Sequence, residues 1–245
     1  METQTLQLAM WLGPRTVSTA FMRSWENRPD TIVFDEPFYA HYLNETGLDH
    51  PMADEIIAVG NCDWHAVLKQ LLTEVPGKPV SYQKHMAHHL LPEMSREWFD
   101  KMTHAFLIRD PAEMLMSMDV KMDHFGLSDT GLPQQVEIFD FVVNTTGKIP
   151  AVISSKELLM DPAKVLQGLC DYLNIPFYDQ MLSWPKGPRD SDGVWARHWY
   201  GSGEQSTGFQ GYKPKSHALP MHLKELHQEC LPYYQRLYEH RLRSH

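Results

Sequence analysis

Cysteine is scarce in this chain of 245 residues, which contains only three: Cys62, Cys170 and Cys230. They are far apart and odd in number, which argues against a disulfide framework and indicates a reducing, cytoplasmic compartment. The first residues lack a basic region followed by an apolar run, so we expect no signal peptide. No stretch approaches the roughly 18 apolar residues that a membrane-spanning helix needs, so we expect no membrane partner.

Positive charge is also limited. The chain has 22 Lys and Arg against 31 Asp and Glu, and its formal net charge is -9 with histidine neutral. This balance argues against a broad nucleic-acid-binding surface but allows a local basic pocket for a small anion. We therefore expect a small-molecule partner and no nucleic acid. A homodimer is compatible with these numbers.

Short apolar runs alternate with helical patterns along most of the chain. Strands are predicted near residues 6–12, 32–34, 80–83, 105–108 and 151–153. Helices are predicted after the first strand, over residues 93–102, after Asp110-Pro111, after Asp161-Pro162, and over residues 220–242. This alternation predicts an α/β fold, a single three-layer α/β/α domain over residues 1–245 with a central parallel sheet.

Residues 185–216 differ in composition from the rest of the chain. They are rich in Gly, Ser, Pro and basic residues, yet they contain aromatic side chains such as Trp195, Trp199 and Tyr200. A long loop with aromatic residues is more often a lid or a binding loop than a linker. We predict that this segment covers a site or binds the acceptor of a reaction.

The turn after the first strand is the first candidate site. Ligands of parallel sheets bind beyond the carboxyl ends of the strands, where a helix N-terminus favours anions. Arg15 adds a positive charge there, and Ser18 or Thr19 is predicted to cap the following helix. Thr19 stands where a Walker A loop requires Lys, which disfavours an ordinary magnesium-dependent ATPase or kinase.

The same turn resembles the 5′-phosphosulfate loop of the PAPS-dependent sulfotransferases, with the pattern Pro-Lys/Arg-Ser/Thr-Gly-Ser/Thr-Thr. PAPS is 3′-phosphoadenosine 5′-phosphosulfate, and Arg at the basic position is common in bacterial members. The resemblance implies a P-loop-like fold in which the donor is bound by Gly13, Pro14, Arg15, Thr16, Val17, Ser18 and Thr19. Val17 replaces the Gly of the family. A β-branched residue disfavours positive φ, so we expect a different backbone path here.

A second motif resembles the 3′-phosphate site of the same family. Residues 106–111 read Phe-Leu-Ile-Arg-Asp-Pro, and Ser117 follows eight residues after Arg109. Arg109 would leave the strand end and bind a phosphate through two parallel donors, and Ser117 would lie about two turns into the next helix. Alternatively, Arg109 pairs with a neighbouring carboxylate. In a weaker third match, over residues 154–176, Ser155 replaces a Tyr that helps to hold the nucleotide in many members.

Two kinds of residue are candidates for the base that a hydroxyl acceptor needs. Glu36 ends the second strand, predicted to lie beside the first, and several branches of the family carry Glu-Pro there. Burial or Asp35 would raise its pKa to a useful range. The rival is histidine, since cytosolic members carry Lys-x-His after the third strand. Either His85 or His88 fits, and Lys84 would then assist the leaving group.

The resemblance implies transfer of a sulfuryl group from PAPS to a hydroxyl of a small molecule, with 3′,5′-ADP as the product. The sequence has no dense carboxylate cluster that could bind a metal, and no metal is expected. An atypical kinase and a nucleotide-binding protein without catalysis are the two alternatives. The retained Arg15, Glu36, Arg109 and Ser117 argue against the second of them.

Overall fold

One parallel sheet organises the molecule. The computed structural model describes residues 5–122, 124–214 and 218–243. The strands are β1 (Leu6–Leu12), β2 (Thr31–Asp35), β3 (Val80–Met86), β4 (Thr103–Ile108) and β5 (Ala151–Ser154). They pair in parallel in the order β2-β3-β1-β4-β5. The predicted α/β class with a central parallel sheet is confirmed.

Helices connect and cover the strands. They are α1 (Ser18–Glu26), α2 (Tyr39–Thr46), α3 (Ala53–Val59), α4 (Trp64–Leu71), α5 (Pro111–Met118), α6 (Leu132–Thr146), α7 (Ser155–Met160), α8 (Pro162–Tyr172), α9 (Ala196–Trp199), α10 (Gly201–Glu204) and α11 (Lys224–Tyr238). The carboxylates of Asp110 and Asp161 cap α5 and α8 by accepting backbone N–H groups, as their Asp-Pro pairs predict. None of the described helices is long and apolar enough to cross a bilayer.

The central strand β1 is buried on both faces, because successive side chains point to opposite sides. Leu8 and Met10 pack on one face in a core that includes side chains of α1 and α8. Ala9 and Trp11 pack on the other face with side chains of α4, α6 and α11. Two apolar layers of helices therefore enclose the sheet.

Several boundaries differ from the sequence prediction. β3 continues to Met86, so Lys84 and His85 lie within the strand. Over residues 93–102 only a short 3₁₀ turn forms, at Phe99–Lys101, and the Arg96 guanidinium binds the Leu91 and Met94 carbonyls that a helix would use itself. The long helix α6 was not predicted, and α11 is shorter than residues 220–242.

The aromatic segment is described over residues 185–214, while residues 215 and 216 lie outside the described residues. It contains the short helices α9 and α10. It is fastened to α1, because Arg23 pairs with Asp192 at 2.6 Å and Glu26 accepts a hydrogen bond from Ser191. Contacts with the first helix of the chain therefore help to fix its position.

Candidate active site

A cavity of about 520 Å³ lies beyond the carboxyl ends of the strands. Residues that follow β1, β2, β3 and β4 line it, and so do residues of the segment 185–214. Ligands of parallel α/β sheets bind at this edge. The cavity is large enough for a nucleotide-sized ligand, since small-molecule sites usually measure about 300–1,000 Å³.

The turn after β1 has an unusual backbone. Arg15 and Val17 both adopt positive φ, 59° and 60°. The expectation that Val17 avoids this conformation is wrong, because Val17 adopts the left-handed conformation that a glycine takes without strain. The predicted cap is wrong too. Val17 is the N-cap of α1, and no side chain of the described residues accepts a hydrogen bond from the first turn, so its N–H groups can face a ligand.

Close packing behind the turn explains the glycine at its start. A Cβ on Gly13 would lie 2.3 Å from the carbonyl oxygen of Thr130, so no larger residue fits without a shift. The Thr16 hydroxyl donates to the Gly13 carbonyl at 2.8 Å and is buried. Of the predicted donor-binding residues, Gly13 and Thr16 thus shape the turn, while Pro14, Arg15, Val17, Ser18 and Thr19 line the cavity.

The structure brings together the cationic residues of both motifs. The Nε of Arg15 donates to the Ser117 hydroxyl at 3.0 Å, and Nη1 of Arg109 donates to the Arg15 carbonyl at 2.6 Å. Arg109 also pairs with Glu113 at 3.2 Å, the alternative that the sequence left open. Ser117 is not among the residues that line the cavity, and it contacts the site through Arg15, so its predicted phosphate contact stays a prediction.

Arg15 is a cation without a carboxylate partner among the described residues. Burial and the nearby Arg109 lower the pKa of Arg15. Two neighbouring cations on a half-buried surface favour an anionic ligand. Arg15, Arg109 and the open N-terminus of α1 therefore fit a phosphate or sulfate group.

Ser155 lies behind this site. Its hydroxyl is 2.9 Å from the Thr16 carbonyl and 2.8 Å from the Ile108 carbonyl, and it is buried. Because it connects the turn to the end of β4 and does not line the cavity, it does not replace the nucleotide contact of the Tyr found in other family members.

Four polar side chains form a network at the other side of the cavity. Nζ of Lys84 lies 2.8 Å from Oδ1 of Asp35, 2.6 Å from Oε1 of Glu36 and 2.5 Å from the hydroxyl of Tyr200. The Tyr200 hydroxyl is also 2.8 Å from both oxygens of Asp35. The expectation that Glu36 lies beside the first strand needs correction, because β3 separates β2 from β1 and Glu36 neighbours Lys84.

The network sets the charge states of its members. Burial raises the pKa of Glu36, Lys84 opposes this, and the neighbouring Asp35 raises it further, with a net increase. Burial alone would lower the pKa of Lys84, but Asp35 and Glu36 raise it above its ordinary value. Lys84 is therefore a fixed cation and Glu36 a carboxylate with increased proton affinity, as a general base requires.

The histidines divide between the core and the cavity. His85 points away from the cavity, stacks on Trp11 with 4.6 Å between ring centroids, and is 2% exposed. The structure does not bring it to the other site residues, since neighbours in a strand face opposite sides. His88 and His89 line the cavity, but burial lowers the pKa of His88 to about 3 and that of His89 well below its ordinary value. Both are weak bases.

The roles of two residues in this network are not predicted by the sequence. Asp35 was considered only as a neighbour that raises the pKa of Glu36, and Tyr200 only as an aromatic residue of the long segment. Asp35 and Tyr200 are 165 positions apart, and no spacing in the sequence connects them. The presence of aromatic residues in a polar segment was the available signal for Tyr200.

In the part of the chain that the structure describes, no three side chains of His, Cys, Asp or Glu gather to hold a metal ion.

The chain is similar to several known proteins. A family model described as "Sulfotransferase domain" matches residues 6–241. Two curated Arabidopsis thaliana proteins, branched-chain-amino-acid aminotransferase-like proteins 1 and 2, are 38% and 36% identical over 94% and 91% of this chain. The chain spans about two fifths of their length, 41% and 40%.

Solved structures match over nearly the whole chain. A sulfotransferase from Alicyclobacillus acidocaldarius has a TM-score of 0.59 with 14% identity, covering 96% of each chain. The sulfotransferase domain of the Synechococcus PCC 7002 olefin synthase has a TM-score of 0.51 with 14% identity, covering 94% of this chain and 96% of that one. At such identity, the likeness concerns the fold alone.

Proposed function

The chain belongs to the sulfotransferase domain family, which transfers sulfuryl groups, and from this premise we propose that it transfers the group from PAPS to a hydroxyl of a small-molecule acceptor. The supporting observation is the pairing of two sites across one cavity. Arg15 and Arg109 form an anion site on one side, and Glu36 provides a carboxylate of raised pKa on the other.

The donor side fits a phosphosulfate. Arg15 and the N–H groups at the start of α1 would hold the 5′-phosphosulfate and stabilise the charge that develops on the leaving oxygen. Arg109 would bind the 3′-phosphate, as the resemblance to the family implies. Ser18 and Thr19 add hydroxyl donors at the same wall.

The acceptor side supplies the base. The acceptor oxygen forms a bond to sulfur while the bond from sulfur to the bridging phosphate oxygen breaks, and that electron pair leaves with 3′,5′-ADP. The acceptor proton passes to Glu36. The three N–H donors of Lys84 are already used by Asp35, Glu36 and Tyr200. Lys84 would therefore orient the carboxylates, and the predicted assistance to the leaving group falls to Arg15.

The names of the Arabidopsis relatives concern a different reaction. Aminotransferases bind pyridoxal phosphate through an imine, which needs a lysine amine in neutral form. Lys84 is the buried lysine of the cavity, and its pKa is raised by two carboxylates. This environment does not favour an imine at Lys84.

A calorimetric titration with 3′,5′-ADP tests the donor site. Wild-type protein is expected to bind with a micromolar dissociation constant, and ATP with magnesium is expected to bind far more weakly. Arg15→Gln and Arg109→Gln should each weaken binding by about 10- to 100-fold, the worth of one charge-assisted hydrogen bond.

The matched control is Arg197→Gln, because Arg197 pairs with Glu55 at the surface and does not line the cavity. Its affinity for 3′,5′-ADP should equal that of wild type. Turnover of PAPS with a panel of alcohols and phenols then tests the reaction itself. Preference for ATP with magnesium would overturn the proposal in favour of a kinase, and binding without turnover would favour the non-catalytic alternative.

A further inference from the structure

Two carboxylates and one ammonium lie together in the acceptor side of the site. The side chains of Asp35 and Lys84 are each 1% exposed, and that of Glu36 is 11% exposed. One positive charge cannot neutralise two buried negative charges, and burying an unpaired charge is costly. One of the two carboxylates, Asp35 or Glu36, is therefore protonated more easily than the other. The hydrogen bonds that each accepts decide which one it is.

The hydrogen bonds are divided unequally between the two. Asp35 has the ammonium of Lys84 and the Tyr200 hydroxyl, each at 2.8 Å, and the backbone N–H of Gly193 at 3.4 Å. Glu36 has Lys84 at 2.6 Å, while the Tyr200 hydroxyl is 3.5 Å away. A hydroxyl carries a single proton, and the shorter distances favour Asp35 as its acceptor.

We propose that Tyr200 is a positioning residue, whose hydroxyl keeps the negative charge on Asp35 and thereby leaves Glu36 as the carboxylate that takes the acceptor proton. The inference rests on the proposed function, since it assigns the base of that reaction. Placing two carboxylates in different environments is a general means of giving them different roles. Glu36 lines the cavity and Asp35 does not, which agrees with this division.

The surroundings of Tyr200 support a fixed hydroxyl. Nε1 of Trp195 donates to the Tyr200 hydroxyl at 3.3 Å, and the ring of Tyr200 lies 4.9 Å from the ammonium of Lys84. Burial raises the pKa of Tyr200 well above its ordinary value, so it stays a donor at neutral pH. Among the described residues, Tyr39 of α2 lies near Glu36, His89 lies near Lys84, and the buried Tyr82 of β3, whose pKa burial raises, lies near Lys84 and Asp35. Burial raises the pKa of Tyr39 and lowers that of His89, so both are uncharged.

Carboxyl titration by NMR tests the assignment without substrate. With ¹³C-labelled Asp and Glu side chains, Glu36→Gln identifies the Glu36 resonance. In Tyr200→Phe, Asp35 loses a donor and takes the shared proton more readily, so the Glu36 midpoint should move down by about one pH unit, and Asp35 should titrate at higher pH. Asp35→Asn removes the competing charge, so the midpoint should move down by a similar amount.

Turnover of PAPS gives the second readout. Because Glu36 must be deprotonated to act, the acidic limb of kcat should move with the titration in both variants. Glu36→Gln should lower kcat by about 10²- to 10⁴-fold at every pH, whereas Asp35→Asn should keep an acidic limb of kcat that is displaced to lower pH. The dissociation constant of 3′,5′-ADP should be unchanged in Tyr200→Phe. Tyr172→Phe is the matched control, because Tyr172 is exposed on α8 and does not line the cavity.

An unmoved Glu36 midpoint in Tyr200→Phe overturns the proposal. An inactive Asp35→Asn variant together with an active Glu36→Gln variant would overturn it as well. If Tyr200→Phe does not fold, Asp35→Asn alone decides, since its downward shift is required. If no acceptor is turned over, the proposed function fails, while the titration still decides the role of Tyr200.

Discussion

Val17 adopts a backbone conformation that is energetically unfavourable for a residue with a Cβ. Left-handed backbone costs a residue with a Cβ about 1–2 kcal/mol, and Val17 adopts φ 60° at the start of α1. Val17→Gly should therefore unfold with a free energy about 1 kcal/mol above that of Val17→Ala. Both variants lose the valine contacts with the core, so their difference isolates the backbone term.

Urea unfolding of the two variants measures this difference. In ordinary helical or strand backbone, glycine is less stable than alanine by about 0.5–1 kcal/mol, so the predicted order is the reverse of the usual one. An alanine variant as stable as the glycine variant would contradict the left-handed backbone at this position.

Gly13 is constrained by distance. Gly13→Ala would press a methyl group against the Thr130 carbonyl, and the shift of the turn should cost about 1–3 kcal/mol and weaken 3′,5′-ADP binding. Gly168→Ala is the control. Nothing lies within 4 Å of a Cβ there, and Gly168 is inside α8, so alanine should add about 1 kcal/mol without changing affinity. Unaltered ligand affinity in Gly13→Ala would refute the role of this contact.

At the scale of elements, side-chain contacts join α1 to the segment 185–214. Arg23 is 1% exposed and pairs with Asp192. Asp192→Asn removes the negative charge beside the buried Arg23 guanidinium. We expect the free energy of unfolding to fall by about 3 kcal/mol. Trypsin should then cleave faster after Lys186 or Arg189, since the segment loses one of its ionic contacts with α1 while the Ser191 and Arg189 contacts with Glu26 remain.

The comparison for this variant is the surface pair of Arg197 and Glu55. Arg197→Gln should change stability by less than about 1 kcal/mol, because exposed ion pairs contribute little. Equal effects of the two substitutions, measured by urea unfolding and by the cleavage rate, would mean that the Asp192 contact does not secure the segment.

Local signals account for the elements that the sequence predicted. The apolar run of β4 and the Asp-Pro caps of α5 and α8 are encoded by adjacent residues. The donor motif was found for the same reason, since Arg15, Arg109 and Ser117 each belong to short patterns. Helix α6 was missed although its apolar positions recur, because its start has no side-chain cap and Gly131 precedes it.

Tertiary contacts explain the rest. The length of β3 is set by its pairing along seven positions of β1, so Lys84 and His85 separate to opposite faces. The unpredicted network of Asp35 and Tyr200 depends on the packing of the segment 185–214 against α1. Strain at Val17 was expected from its type, yet the surrounding turn overrides that preference.

At the scale of the whole molecule, buried histidines make stability depend on pH. Burial lowers the pKa of His85 and His88 to about 3 and that of His104 to about 4. In the unfolded chain a histidine titrates near about 6.5. Between these values the unfolded chain binds more protons, so the free energy of unfolding should fall as the pH drops below 6, by up to about 1.4 kcal/mol per pH unit for each such histidine.

Urea unfolding from pH 8 to pH 4.5 measures this slope. Glu36 acts in the opposite direction, because its raised pKa lets the folded chain bind a proton first, and it offsets at most one histidine. His85→Phe keeps the stack on Trp11 and should reduce the slope by about 1.4 kcal/mol per pH unit. His222→Gln, at an exposed position, should leave it unchanged. A flat profile below pH 6 would contradict neutral histidines in the core.

The attachment of residues 185–214 to α1 has a consequence for the chain during its synthesis. When the ribosome has released the five strands, the anion cradle of Arg15 and Arg109 can already assemble. The carboxylate pair cannot, because Tyr200 is still to come and Asp35 lacks its second donor. A nascent or truncated chain would hold a donor nucleotide without an assigned base. For the proposed reaction, the base would therefore be assigned only after the anion site has formed.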